Sequence, residues 1–244
     1  MKLYYTLLYY CVFCIVLSVS VRVQAQVYQL PVQAQSKPHF AGLEVNGNPT
    51  LKAGVTGGWQ LAPKGKHTPL LMASLRTPIF LVKHPDTFEA GIGIADYLTI
   101  RNQWGVTVAL SGTLATTRNT NARLTTLGTE LVLLPGYRAN RWYAGAWLGW
   151  QYKPVVHLHH SEYIEDTFKD RYKDGSLGQG PVNGWVALHG SVIRLGAAAG
   201  YSLKSYSFHL NGGFQSTPGP LHIISLPDVG ILPFFGSISI VHHW

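Results

Sequence analysis

The stretch from Arg141 to Tyr152 constrains this chain more than any other. Trp142, Ala144, Ala146, Leu148, Trp150 and Tyr152 fall on one parity, and Tyr143, Gly145, Trp147, Gly149 and Gln151 on the other. A strict period of two is a β-strand, because successive side chains point to opposite faces of the pleat. One parity is aliphatic in its middle and aromatic at its ends. The other is glycine-rich, with ring and amide groups, and from Trp142 to Tyr152 neither carries a charge. A sandwich strand in water would place charged or hydroxyl groups on its wet face. An uncharged strand with an aliphatic middle and ring ends suits an apolar layer with polar boundaries on both sides.

Composition extends this reading to the whole chain. Charged residues make up 12% of the 244, about half of the roughly 25% usual in soluble globular chains. Glycine is abundant at 26 residues. Mean hydropathy is nevertheless only +0.09, too low for a bundle of apolar helices. Low charge with moderate hydropathy is what results when only alternate residues meet lipid. In hydrocarbon every backbone N–H and C=O must be paired within the protein, so strands cross only as a closed barrel. The expected fold is therefore all-β: one closed antiparallel transmembrane β-barrel of about ten strands, with eight and twelve as the neighbouring even counts. A soluble secreted sandwich is the competing reading.

The amino-terminal 25 residues have the pattern of a secretory signal. Lys2 gives the positive start, Leu3 to Val19 the apolar run, and Val23-Gln24-Ala25 a small-residue cleavage site before Gln26. An uncleaved anchor is the alternative. Both cysteines, Cys11 and Cys14, lie in this segment, so residues 26–244 contain no thiol for a disulfide or a metal. Without Lys2 and Arg22 the net charge of +8 becomes +6. The remaining basic residues are scattered singly, which argues against nucleic acid and for anionic lipid headgroups or lipopolysaccharide as the partner surface. Residues 26–38, polar and with Pro31 and Pro38, are expected to be an extended periplasmic lead-in, and 39–244 the barrel.

Ten strand-like segments follow from His39: 39–45, 50–62, 69–82, 87–95, 103–116, 122–134, 141–152, 185–203, 205–215 and 230–244. Asn46-Gly47-Asn48-Pro49 reads as the first turn, and Pro78 as a bulge or an early strand end. The segment at 103–116 alternates most cleanly, with Trp104, Val106, Val108, Leu110 and Leu114 opposite Thr107, Ser111 and Thr113. One long interruption, 155–184, holds five of the eleven acids, and residues 162–173 within it have the spacing of a short helix. With both chain ends in the periplasm this loop lies outside the cell. Its part 161–183 is then the expected contact surface for an external ligand, which the sequence does not name.

Parity sends seven charged residues into the lumen: Glu44, Lys52, Arg76, Glu89, Glu130, Lys153 and Arg194. Three acids against four bases, confined in a narrow barrel, are expected to pair. That implies a lumen filled by salt-bridged side chains and no wide pore; a basic constriction selecting small anions is the alternative. His157, His159 and His160 cluster near one barrel end, and His242 and His243 near the other, so they are expected to be boundary residues and no metal site is assigned. His159 and Ser161, with Glu162 or Glu165, supply the residue types of a lipid hydrolase. Two residues on a loop do not make a triad, and no phosphate loop, zinc-protease helix or nucleophile elbow is present. No cofactor is expected.

Phe234, Ile238, Ile240 and Trp244 lie on one parity of the last segment, and the sequence stops on the ring. This resembles the carboxy-terminal strand of Gram-negative outer-membrane β-barrel proteins, which ends in an aromatic and is read by the barrel insertion machinery. The resemblance covers the architecture of roughly 39–244 and reaches no subfamily. It implies residence in the outer membrane, with outer-membrane lipid and the insertion machinery as partners. The expected role is non-enzymatic: envelope integrity, surface interaction or limited permeation.

Overall fold

The computed structural model of the protein describes residues 37–47, 51–61, 66–79, 88–118, 121–139, 141–166, 183–216 and 234–244. The segment 1–25 and nearly all of the expected lead-in lie outside them. Ten strands follow in order: β1 (His39–Gly47), β2 (Leu51–Gln60), β3 (His67–Pro78), β4 (Phe88–Arg101), β5 (Trp104–Arg118), β6 (Ala122–Arg138), β7 (Trp142–His160), β8 (Gly184–Ser202), β9 (Tyr206–Ser216) and β10 (Phe234–His243). Each pairs antiparallel with its neighbours in sequence, and β10 pairs with β1 to close the barrel. Leu43 faces Ile240 across that seam. His39 and Trp244 exchange two backbone hydrogen bonds of 3.2 and 3.1 Å at its lower edge. The expected strand number, closure and antiparallel order are those of the molecule.

The up-and-down order sorts the connections by end. Both described termini and the strand ends that flank 61–66, 102–103, 139–141 and 203–205 lie at one end of the barrel, the terminal end. The strand ends that flank 48–50, 79–87, 119–121, 161–183 and 217–233 lie at the other, the loop end. Between β4 and β5 two residues suffice, because Asn102 adopts a positive φ of 47°, which its short polar side chain tolerates better than most.

Prolines explain where the strands depart from the sequence reading. Pro78 ends β3, the early end its missing N–H suggested. Pro135 does not end β6, which continues to Arg138. The β6–β7 register passes from Leu133 opposite Leu148 to Gly136 opposite Gly145, so the skipped pairs are where Pro135 has no N–H to donate. Pro154 likewise fails to end β7. The register shifts beside it on both sides, between Leu127 and Thr129 and between Lys153 and Val155, as a bulge allows. The strand then resumes through Val155 and Val156 to His160 and β8 begins at Gly184, so residues 155–160 and 184 of the expected long loop are strand. Two further corrections are that Asn46 and Gly47 belong to β1 instead of a turn, and that β4 runs on to Arg101. Within the loop, residues 162–166 form one helical turn; the remainder of the expected helix lies outside the described residues.

Alternation sorts every strand into an outer and an inner face. Trp59, Leu71, Ile94, Leu110, Leu131, Trp150 and Ile193 form one outward row through seven consecutive strands. Inside, Phe40, Leu70, Met72, Leu134, Tyr143, Trp147, Phe235 and Val241 belong to one buried apolar cluster. It runs from Phe40 and Val241 near the terminal end to Phe235 at the loop-end start of β10, and Val156 and Val192 form a second, smaller cluster. Inward glycines make room for it: a Cβ on Gly58 would stand 2.4 Å from the Phe40 ring, so that ring occupies the space where β2 has no side chain.

Candidate functional site

Toward the loop end of β1 to β4, and at mid-height on β6 to β8, the inner wall is ionic. All seven residues sent inward by parity are buried there, none more than 6% exposed. Arg76 is the hub. Its Nε donates to Glu44 Oε1 at 2.5 Å and its Nη1 to Glu89 Oε1 at 2.7 Å. Lys52 Nζ donates to the other oxygen of Glu89 at 2.8 Å. Across the lumen Arg194 donates to Glu130 Oε1 at 2.7 Å and to Gln151 Oε1 at 3.1 Å. Lys153, 2% exposed, contributes a further positive charge felt by Glu89.

Register shows how these pairs form. Glu44, Gly54, Arg76 and Glu89 are successive partners on β1 to β4. Arg76 therefore reaches Glu44 across an intervening strand, and it does so over a glycine. A Cβ on Gly54 would stand 2.8 Å from Arg76 Cγ and 3.0 Å from Glu44 Oε1. Gly149 on β7 lies opposite Arg194 on one side and Val132 on the other, but a Cβ there would meet Trp147 Nε1 at 3.1 Å and only touch Arg194 Cβ at 3.4 Å. At Gly54, then, glycine in the inner parity opens an ion pair that skips a strand, which a larger residue would separate. Buried charges joined this closely and shared among several partners are held in place, and taking one away strands the rest.

The carboxy-terminal set lies outward. Phe234, Ile238 and Ile240 are exposed on β10, and Trp244 follows the strand end. Trp244 stacks with His242 at 5.5 Å and with His39 at 6.3 Å, and His39 meets Trp59 at 5.7 Å. Tyr206 with His242, Trp142 with Tyr201 and Trp104 with Tyr137 continue the same outward ring around the terminal end. Trp150 with Tyr152, His157 with Trp185 and Phe214 with Phe234 make a second group toward the loop end. His157 and His242 therefore sit among outward rings, as the boundary reading expects, while His243 turns inward.

The side-chain hydrogen bonds shown by Ser161 and Glu165 of the hydrolase candidates run to other groups. Ser161 Oγ accepts the Ile164 N–H at 3.4 Å and so caps the helical turn. Glu165 accepts from Asn183 Nδ2 at 2.6 Å, and Asn183 Oδ1 lies 2.9 Å from His160 Nδ1. Among the described residues these bonds engage His160 and leave His159 exposed. No group of three or more His, Cys, Asp or Glu side chains gathers for a metal among them either.

Two inner features escaped the sequence reading. At the terminal end Ser207 Oγ lies 2.8 Å from His243 Nε2 and 2.9 Å from His209 Nε2, and Arg138 stands 3.9 Å above the Tyr97 ring. Their cross-strand partners follow from register, which one sequence does not state. On the outer wall the small residues Gly57, Ala73 and Gly112 share a register row with Ile92 and Thr129. They floor an apolar groove of about 620 Å³ bordered by Trp59, Leu71, Ile94 and Leu110. No protein-family model matches this chain, and no curated protein matches it.

Proposed function

We propose that this chain is a non-enzymatic outer-membrane β-barrel protein of the Gram-negative type, whose lumen is closed by its own side chains. The observation that carries the reading is the inversion of its faces. Large apolar residues stand exposed around the outer wall, while the seven acidic and basic side chains sent inward by parity are buried within. A soluble barrel would bury the first set and expose the second. On β7 the outward band from Trp142 to Tyr152 spans ten residue steps, roughly 33 Å along the strand and about 25 Å along the axis at a tilt near 40°. That is the height of the apolar band in outer-membrane barrels. The two outward groups of rings would then meet the two polar boundaries.

In this placement the terminal end faces the periplasm and the loop end faces out. The segment 161–183 becomes the external contact surface, and β10 with Phe234, Ile238, Ile240 and Trp244 outward becomes the strand read by the insertion machinery. Outer-membrane lipid would cover the wall and enter the groove at Gly57 and Gly112. Apolar cluster and ion pairs together support a lumen that does not conduct. Planar-bilayer recording of the refolded chain tests this: the account expects no stable openings above the bare membrane. Sustained openings preferring anions would replace it with the narrow-porin reading, in which the one basic residue in excess of the buried acids selects the ion. Migration on cold and heated gels tests closure itself, since a sealed barrel keeps its fold in cold detergent and shifts on boiling.

A further inference from the structure

Where β9, β10 and β1 meet, two register rows on the inner wall carry only polar side chains. One is Asn211, Ser237 and Asn46; the other is His209, Ser239 and Glu44. All six are at most 4% exposed. Seven polar atoms among them have no hydrogen-bond partner among the described residues: Glu44 Oε2, both side-chain polar atoms of Asn46 and of Asn211, Ser237 Oγ and His209 Nδ1. Buried polar atoms are nearly always bonded, and those that protein groups do not reach are bonded to ordered water. Here the orphans are adjacent. Residues directly opposite on antiparallel strands have Cβ atoms about 4.5–5.5 Å apart, a spacing that one water spans between short polar side chains.

We propose that these two rows bind a small cluster of water molecules on the inner wall of the closing seam. The donor and acceptor inventory selects water over a cation. Asn46 and Asn211 each present an unanswered N–H₂ beside an unanswered carbonyl oxygen, and water serves both whereas a cation serves only the oxygens. The charge of Glu44 is already met by Arg76, so little net charge remains to draw an ion. The inference concerns the inner wall alone and does not rest on the membrane placement.

The test is water-selective NMR on the full chain in detergent micelles, labelled with ¹⁵N at asparagine side chains. The Asn46 and Asn211 signals are assigned by their loss in Asn46→Asp and Asn211→Asp. Expected are cross-peaks from both amide groups to water with the sign of long-lived bound molecules, and their weakening by at least half in Ser237→Ala, which removes the hydroxyl between them. Ser237→Ala deletes one oxygen and keeps the strand, so cold-gel migration should report an intact barrel. Absence of the cross-peaks would overturn the proposal. So would intensities unchanged in Ser237→Ala, or amide shifts that follow added sodium, potassium or calcium and so identify an ion.

Discussion

The two halves of the lumen close the same barrel by different means. At the terminal end and mid-height the wall carries Phe40, Leu134, Tyr143 and Trp147, which fill space by volume. Toward the loop end it carries Glu44, Arg76, Glu89 and Lys52, which fill space by charge. An apolar filling degrades gradually, because each lost group leaves only its own cavity. An ionic filling fails abruptly when one partner goes and tolerates removal of a whole pair, because an unmatched buried charge is the expensive state. The difference teaches that glycine spacing, as much as charge, decides where ion pairs are admitted: Gly54 stands between Glu44 and Arg76, and Gly58 makes room for Phe40.

The strongest way to break the comparison is at the hub. Arg76→Ala removes the ion-pair partner of Glu44 and one of the two partners of Glu89 and is expected to destabilise the barrel by about 4 kcal/mol, read as an earlier midpoint in urea unfolding from detergent. Leu134→Ala in the apolar half should cost about 3 kcal/mol by the same measurement, in proportion to the cavity it leaves. If the two halves differ as described, replacing the whole Arg194–Glu130 pair sharpens the contrast. Arg194→Met with Glu130→Leu is expected within about 1 kcal/mol of the parent, although either change alone costs at least about 3 kcal/mol. The smallest effect belongs to the outer ring. Trp104→Ala loses an edge contact with Tyr137 and should cost about 1 kcal/mol.

Much of the fold was legible because alternation of apolar with small or polar residues leaves a period-two trace along the strands. Trp104, Val106, Val108 and Leu110 against Thr107 and Ser111 predicted both faces of β5, and the seven inward charges were assigned from parity alone. Strand ends were harder. Pro135 and Pro154 look like terminators, yet a missing N–H matters only where the ladder needs it, and bulges absorb it. Asn46-Gly47-Asn48-Pro49 looked like a complete turn, but Asn46 faces inward beside Ser237. Partners were not legible at all. That Arg76 would hold both Glu44 and Glu89, or that Ser207 would sit between His209 and His243, follows from register, which parity leaves open by any even shift.

If the exposed apolar wall faces lipid around a filled, closed lumen, alternate residues of β5 meet acyl chains. With Cys11 and Cys14 replaced by serine, single cysteines at positions 106 to 111 of β5 can carry a fluorophore in vesicles whose acyl chains bear bromine. Strong quenching is expected at 106, 108 and 110, and little at 107, 109 and 111. Quenching of the opposite parity, or at none of the six, would mean that Val106, Val108 and Leu110 never meet oil, and would contradict a lipid-facing wall.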